Sequence, residues 1–132
     1  MMPMDELIEA ARRVRENAHA PYSRYKVGAA VRMASGRVFV GANVENASYG
    51  LALCAERSAI AAAIAAGETR LAAVAVITAS SPPAAPCGMC RQVLAEFGDD
   101  DLPVALVNDK GERSDTTLGA LLPHAFRQND LT

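Results

Sequence analysis

Apolar residues recur along this chain with a helical period in some stretches and as short continuous runs in others. Residues 4–20 carry one apolar stripe at helical spacing, which predicts a helix ended by Pro21. An alanine-rich stretch over residues 54–66 predicts a second helix, stopped by Gly67. Two further helices are predicted over residues 87–97 and 117–122.

Strands are predicted in the intervals between these helices. Residues 25–33 and 37–43 are separated by a short turn that contains glycine, which predicts a hairpin. Residues 72–78 form a continuous apolar run rich in β-branched residues, typical of a strand buried on both faces, and Pro103–Asn108 predicts another strand. Helices that alternate with buried strands favour an α/β fold, a three-layer α/β/α sandwich on a mixed sheet.

Composition and charge narrow the classes of partner. With 132 residues, about half of them apolar, the chain is expected to form one domain over residues 1–132. A net charge of −2 gives no electrostatic reason to bind nucleic acid or an anionic membrane. No apolar run approaches the roughly 20 residues that span a bilayer, and the first residues lack a basic and then hydrophobic signal. Because an odd count of three cysteines is a poor disulfide framework, we expect a cytoplasmic protein with reduced thiols.

The candidate chemistry lies in those cysteines. Cys87 and Cys90 form a CxxC pair, and Cys54 lies two residues before Glu56. A catalytic zinc ion takes three protein ligands and keeps one position for water, whereas a structural zinc ion takes four. A carboxylate next to one ligand can act as general acid and base for that water. Three cysteines and a nearby glutamate therefore predict an enzyme with a catalytic zinc site.

The predicted helices support this interpretation. Cys54 and Cys87 fall at helix N-termini, where the positive end of the helix dipole lowers the pKa of a thiol and favours the thiolate that binds metal. Three thiolates on Zn²⁺ leave a net negative charge, so a cation should compensate, and Arg57 directly follows Glu56. Gln92, just past the CxxC pair, is a further candidate for supporting the ligands.

Plainer interpretations of the same residues remain open at this point. A CxxC pair is also the pattern of a thioredoxin-like redox site. His19 or His124 could complete a structural Cys3His site, although neither lies at a short ligand spacing from a cysteine. Glu56 could do no more than favour its own helix N-terminus, and Arg57 could be a solvated surface residue.

Six blocks of the chain, taken together, match one family in the expected order. The chain resembles the small zinc-dependent cytidine deaminases of pyrimidine salvage, a class with a three-cysteine zinc variant, a glutamate that is not a ligand, and a PCxxC motif. The resemblance implies a mixed, mostly five-stranded sheet and one Zn²⁺ per subunit. The matching blocks are residues 20–23 (APYS), 27–30 (VGAA), 41–46 (GANVEN), 54–57 (CAER), 86–92 (PCGMCRQ) and 121–123 (LLP).

The activity that this resemblance implies is hydrolytic deamination. Cytidine and 2′-deoxycytidine would give uridine and 2′-deoxyuridine with release of ammonia, by attack of a zinc-bound hydroxide on C4. Cys54, Cys87 and Cys90 match the zinc ligands. Glu56 matches the group that moves a proton from water to N3 and then to the leaving amine, and Arg57 matches the residue that eases the charge of the thiolates.

The resemblance also implies the substrate contacts and the assembly. Asn43 and Glu45 match the pair that grips the ribose 3′-hydroxyl, consistent with residues i and i+2 of an extended segment pointing to one side. Tyr25 matches an aromatic residue, most often Phe, that stacks on the base, and the backbone of Ala55 matches a base contact. Short enzymes of this family are homotetramers with shared active sites, in which three further positions contact or close over the ligand: Ala47, Tyr49 and Phe126.

Two other functions are weighed against this one. A deaminase of a cytosine-containing antibiotic of the blasticidin S type would share the zinc core, but the ribose block at residues 43–46 argues against it. A non-catalytic, zinc-stabilised binding module would hold its metal with four protein ligands and would not deaminate. Some positions depart from the commonest family residues, which bears on substrate preference rather than on the class of reaction: Ser48, Gly50, Ala52 and Ala85.

Overall fold

One mixed sheet of five strands organises the computed structural model, which describes residues 3–131. The strands are β1 (Gly28–Met33), β2 (Val38–Ala42), β3 (Leu71–Thr78), β4 (Pro103–Asn108) and β5 (Arg113–Thr117). Their order is β2-β1-β3-β4-β5, with β3 and β4 parallel and the other neighbours antiparallel. The helices are α1 (Pro3–Arg15), α2 (Ala55–Ala65), α3 (Gly88–Phe97) and α4 (Leu118–Leu121).

Side chains alternate between the two faces of the sheet, and each face has its own helical layer. Ala75 and Ala105 lie on the face covered by α1, in one apolar cluster with Leu7. Their neighbours Val74 and Val104 lie on the opposite face, in the cluster that α2 and α3 complete. Because successive strand residues point to opposite faces, one buried strand serves both layers. The predicted three-layer α/β/α sandwich is confirmed.

Two glycines allow helices to rest directly on the sheet. A Cβ on Gly41 would lie 2.4 Å from the amide nitrogen of Ala59 and 2.5 Å from the carbonyl oxygen of Ala55. A Cβ on Gly28 would lie 2.2 Å from the carbonyl oxygen of Ala11. No side chain fits between β2 and α2 or between β1 and α1 at these points, so the first turn of α2 is fixed against the sheet by backbone contact.

Helix α1 ends at Arg15, before the predicted end at residue 20. The chain leaves the helix because its backbone finds partners elsewhere: the N–H of His19 donates to the carbonyl of Asn43 at 3.0 Å, and the N–H of Glu45 donates to the carbonyl of His19 at 2.7 Å. Pro21 therefore follows the end of the helix without causing it. Within residues 3–131, no helix has both the length and the hydrophobicity to cross a bilayer.

Strand β1 begins at Gly28 rather than at residue 25, because a side chain replaces the partner strand there. The Nδ2 of Asn43 donates to the carbonyl of Tyr25 at 2.8 Å, and the N–H of Val27 donates to the Oδ1 of Asn43 at 2.8 Å. These bonds satisfy the backbone of the segment outside the sheet.

The hydrophobic pattern does not predict β5. Its sequence, RSDTT, is polar and largely exposed, and it forms a strand because its backbone pairs antiparallel with β4 at the edge of the sheet. The helix predicted over residues 117–122 is correspondingly shorter. Thr117 ends β5 and caps α4, with its hydroxyl accepting from the N–H of Ala120 at 3.3 Å.

Candidate active site

Three cysteine sulfurs meet at the N-terminal ends of α2 and α3. Cys54 directly precedes α2 and Cys87 directly precedes α3, both with extended backbone angles, and Cys90 lies in the first turn of α3. The Sγ of Cys87 lies 3.5 Å from the Sγ of Cys90 and 4.0 Å from the Sγ of Cys54. The structure therefore brings the three cysteines of the sequence analysis to one point.

This cluster fits a tetrahedral zinc ion. With Zn–S bonds of about 2.3 Å, two thiolates on one tetrahedral ion lie about 3.8 Å apart. The two separations in the structure, 3.5 and 4.0 Å, bracket that value. Within residues 3–131 the group that could hold a metal ion consists of cysteines alone, so neither His19 nor His124 completes a four-ligand structural site.

Arg57 supplies positive charge next to the sulfurs. Its Nη2 lies 3.6 Å from the Sγ of Cys54, and this hydrogen bond raises the pKa of Arg57, against a smaller effect of burial. The Nε of Arg57 is buried and has no hydrogen-bond partner in the part of the chain that the structure describes. A buried N–H donor without an acceptor destabilises the fold, and negatively charged thiolates nearby would offset that cost.

The pKa values of two of the thiols shift in opposite directions. Burial raises the pKa of Cys90 far above its usual range, reinforced by the negative charge of Glu56. Burial opposes ionisation at Cys87 too, but bonds from the backbone N–H groups of Cys90 and Met89 and from the neighbouring thiols outweigh it, and the pKa of Cys87 is lowered. A metal cation would offset the cost of a buried thiolate at Cys90.

Glu56 lies in the first turn of α2, and only 4% of its surface is exposed. Burial raises the pKa of this carboxyl, while its own backbone N–H, the Cys90 thiol and the Arg57 guanidinium lower it by less. A carboxyl with a raised pKa is a better proton acceptor than an ordinary carboxyl. The environment of Glu56 therefore suits proton transfer beside the sulfurs.

A cavity of about 310 Å³ opens beside the cysteines, large enough for a small ligand. Thr78, at the carboxyl end of β3, and Ala84 line it and are new relative to the sequence analysis. The place of Thr78 at the end of a parallel strand is the signal that points to it, since ligands bind at that edge of α/β sheets. The residues singled out from sequence that line the cavity are Tyr25, Asn43, Glu45, Ala52, Cys54, Ala55, Glu56, Ala85 and Cys87.

Glu45 faces this cavity while its carboxylate is anchored to the preceding loop. Its Oε1 accepts from the N–H groups of Tyr22 at 2.9 Å and Ser23 at 3.1 Å, and its Oε2 accepts from the hydroxyl of Ser23. The bond from the Ser23 hydroxyl is the largest of the effects that lower the pKa of Glu45. A carboxylate has about four acceptor positions, so Glu45 retains capacity for a ligand hydroxyl.

Three of the residues singled out from sequence lie on the surface outside the cavity lining: Ala47, Tyr49 and Phe126. Tyr49 is 77% exposed and its ring meets the ring of Tyr22 edge-on at 5.9 Å. Gln92 contacts the C-terminal segment, because its Nε2 donates to the carbonyl of Phe126 at 2.8 Å. None of these side chains reaches into the cavity formed by this chain alone.

Comparison with known proteins agrees with this geometry. Residues 1–106 match the family described as the cytidine and deoxycytidylate deaminase zinc-binding region. The chain is 42% identical over 131 residues to a cytidine deaminase of Sporosarcina psychrophila, covering 99% of this chain and 96% of that one. It is 46% identical over 130 residues to a cytidine deaminase of Halalkalibacterium halodurans, covering 98% of each. The crystal structure of cytidine deaminase from Burkholderia pseudomallei matches with a TM-score of 0.91 at 53% identity, covering 95% of this chain and 100% of that one. The chain belongs to the zinc-binding family of cytidine and deoxycytidylate deaminases.

Proposed function

We propose that this chain hydrolyses cytidine and 2′-deoxycytidine to uridine and 2′-deoxyuridine, with release of ammonia. The observation that carries the proposal is the meeting of three cysteine sulfurs and the buried carboxyl of Glu56 at one cavity. Relatives of nearly the same length are cytidine deaminases, which supports the same reaction here.

The proposed roles follow from the chemistry of each side chain. Cys54, Cys87 and Cys90 would hold a zinc ion, and what such an ion supplies is Lewis-acid activation of a water molecule. Glu56 would take one proton from the attacking water and deliver it to N3 of the pyrimidine. It would then take the proton of the hydroxyl now on C4 and deliver it to the amine that leaves C4. Arg57 offsets part of the negative charge of the thiolates. One water is consumed and one ammonia is released for each uridine formed.

The proposed substrate contacts favour a free nucleoside over a nucleotide. Tyr25 packs against the base, the backbone of Ala55 contacts it, and Asn43 and Glu45 bind the ribose 3′-hydroxyl. Among residues 3–131, the cavity lining includes two glutamates and no lysine or arginine, a poor environment for a phosphate. The proposed contact is with the 3′- rather than the 2′-hydroxyl, so the deoxynucleoside serves as well.

The test compares a series of substrates on the zinc-loaded protein, with deamination followed by ultraviolet absorbance. We expect similar kcat/KM values for cytidine and 2′-deoxycytidine, and a fall of about tenfold or more for 2′,3′-dideoxycytidine, because a hydrogen bond to the charged Glu45 is lost. Deoxycytidylate serves as the control that carries a phosphate and should be a poor substrate. A zinc-loaded protein that leaves cytidine intact, or that prefers blasticidin S to cytidine, contradicts the proposal.

We also propose that the chain works as a homotetramer with shared active sites, in the cytoplasm. Exposure of Ala47, Tyr49 and Phe126 on the surface supports a shared site, because these positions would contact ligand only across a subunit boundary. Three free thiols suit a reducing compartment. Light scattering during size-exclusion chromatography should show four chains per particle. A fully active monomer, or recovery of the protein outside the cytoplasmic fraction of its cells, would count against these assignments.

A further inference from the structure

Polar contacts fix both the backbone and the ring of Tyr25 at the cavity. Its N–H donates to the Oγ of Ser23 at 3.0 Å, and its carbonyl accepts from the Nδ2 of Asn43 at 2.8 Å. Its hydroxyl forms a hydrogen bond with the hydroxyl of Ser80, which belongs to the loop that follows β3. Tyr25 as a whole is 37% exposed, so packing alone does not enclose it.

Ser80 is held in turn by Asn108, a fully buried amide at the end of β4. The Nδ2 of Asn108 donates to the carbonyl of Ser80 and to the Oε1 of Glu112, both at 2.9 Å. Its Oδ1 accepts from the N–H groups of Lys110 and Glu112, both at 3.0 Å. The N–H of Ser80 donates to the Oγ1 of Thr78 at 3.2 Å. Because both ends of the Asn108 amide are bonded, Ser80 is tied to the turn between β4 and β5.

We propose that Ser80 is a positioning residue for the substrate base: Asn108 fixes the backbone of Ser80, and the Ser80 hydroxyl holds the Tyr25 ring in the orientation that packs against the pyrimidine. This inference rests on the proposed deamination of cytidine. A phenylalanine ring would need no such partner, whereas a tyrosine carries a hydroxyl that must be bonded or hydrated. Without the Ser80 hydroxyl, that of Tyr25 turns toward water and takes the ring with it.

The expected effect is on substrate binding rather than on the chemical step. The Tyr25 ring contacts the base in the ground state and in the transition state alike. Displacing the ring therefore raises the free energies of the bound substrate and of the transition state by the same amount. Ser80→Ala should raise KM for cytidine about fivefold, which corresponds to the free energy of one ordinary hydrogen bond, and should leave kcat within about twofold of the unmodified value. In a Tyr25→Phe background the same Ser80→Ala change should alter KM by less than about twofold, since the hydroxyl that Ser80 holds is already absent.

The experiment is a double-mutant cycle with Ser35→Ala as the matched control. The hydroxyl of Ser35 also has a hydrogen-bond partner, the backbone N–H of Arg37 at 3.3 Å, in the turn between β1 and β2. Thermal melting of all variants reports folding. An unchanged KM in Ser80→Ala, or an equal rise in KM with and without the Tyr25 hydroxyl, overturns the positioning role. Failure of the unmodified protein to deaminate cytidine contradicts the proposed function instead, so the two failures are distinct.

Discussion

Replacing Glu56 by Gln should leave the zinc content at one ion per chain and lower kcat for cytidine by about 10²- to 10⁴-fold. The amide has nearly the same shape as the carboxyl, but it cannot accept a proton from water or return one to N3 and the leaving amine. Glu56 does not belong to the group of potential metal ligands within residues 3–131, so the ion should not depend on it. Metal analysis and steady-state kinetics on the same preparation measure both quantities.

The matched control for this change is Glu96→Gln, an exposed glutamate on α3. It makes the same chemical change on a helix of the same layer and should leave kcat within about twofold of the unmodified value. Near-normal turnover in Glu56→Gln would remove its role in proton transfer. Loss of zinc in that variant would instead indicate that the carboxylate is a ligand.

Replacing Cys87 by Ala should remove the zinc and the activity together while the chain stays folded. Zinc sites depend on the full ligand set, and the described residues place no histidine or carboxylate in the cluster to substitute for a lost thiol. Cys87 directly precedes α3 rather than lying within it, so its loss should leave the helix intact. Zinc per chain, measured by mass spectrometry, and circular dichroism of the same sample test the two halves of this expectation.

Met89→Ala is the control, because Met89 lies between Cys87 and Cys90 and is 64% exposed. This variant should keep its zinc. The melting temperature adds a second readout: a chelator should lower that of the unmodified protein and leave that of Cys87→Ala unchanged, since a ligand stabilises only a chain that binds it. Full zinc occupancy in Cys87→Ala would refute its assignment as a ligand.

The parts of the fold that could be predicted from sequence are those that bury apolar side chains. Strand β4 has the predicted bounds because its apolar run is buried on both faces. The polar strand β5 and the early end of α1 could not be predicted, because both depend on backbone partners from distant parts of the chain. Periodicity reports burial, and it carries no information about which backbone groups pair.

The same division holds at the candidate site. Cys54, Cys87 and Glu56 could be predicted because metal-ligand spacing and helix N-termini are recognisable in the local sequence. The bonds from Ser23 to Glu45 and from Ser80 to Tyr25 are not, since serine is common in loops and its partner is set by the tertiary fold. Supporting hydroxyls of this kind become visible only when the loops are placed in three dimensions.

The contact of Gly41 with the first turn of α2 limits how this cavity can be redesigned. Only the backbone of Gly41 packs against the first turn of α2. A methyl group added at position 41 would collide with the backbone of Ala55 and Ala59, and would displace Cys54 and Glu56 together. The contact between Gly41 and α2 therefore cannot be changed when the cavity is redesigned for bulkier bases. Ala84 also lines this cavity but lies on a loop, so a substitution there does not press on α2.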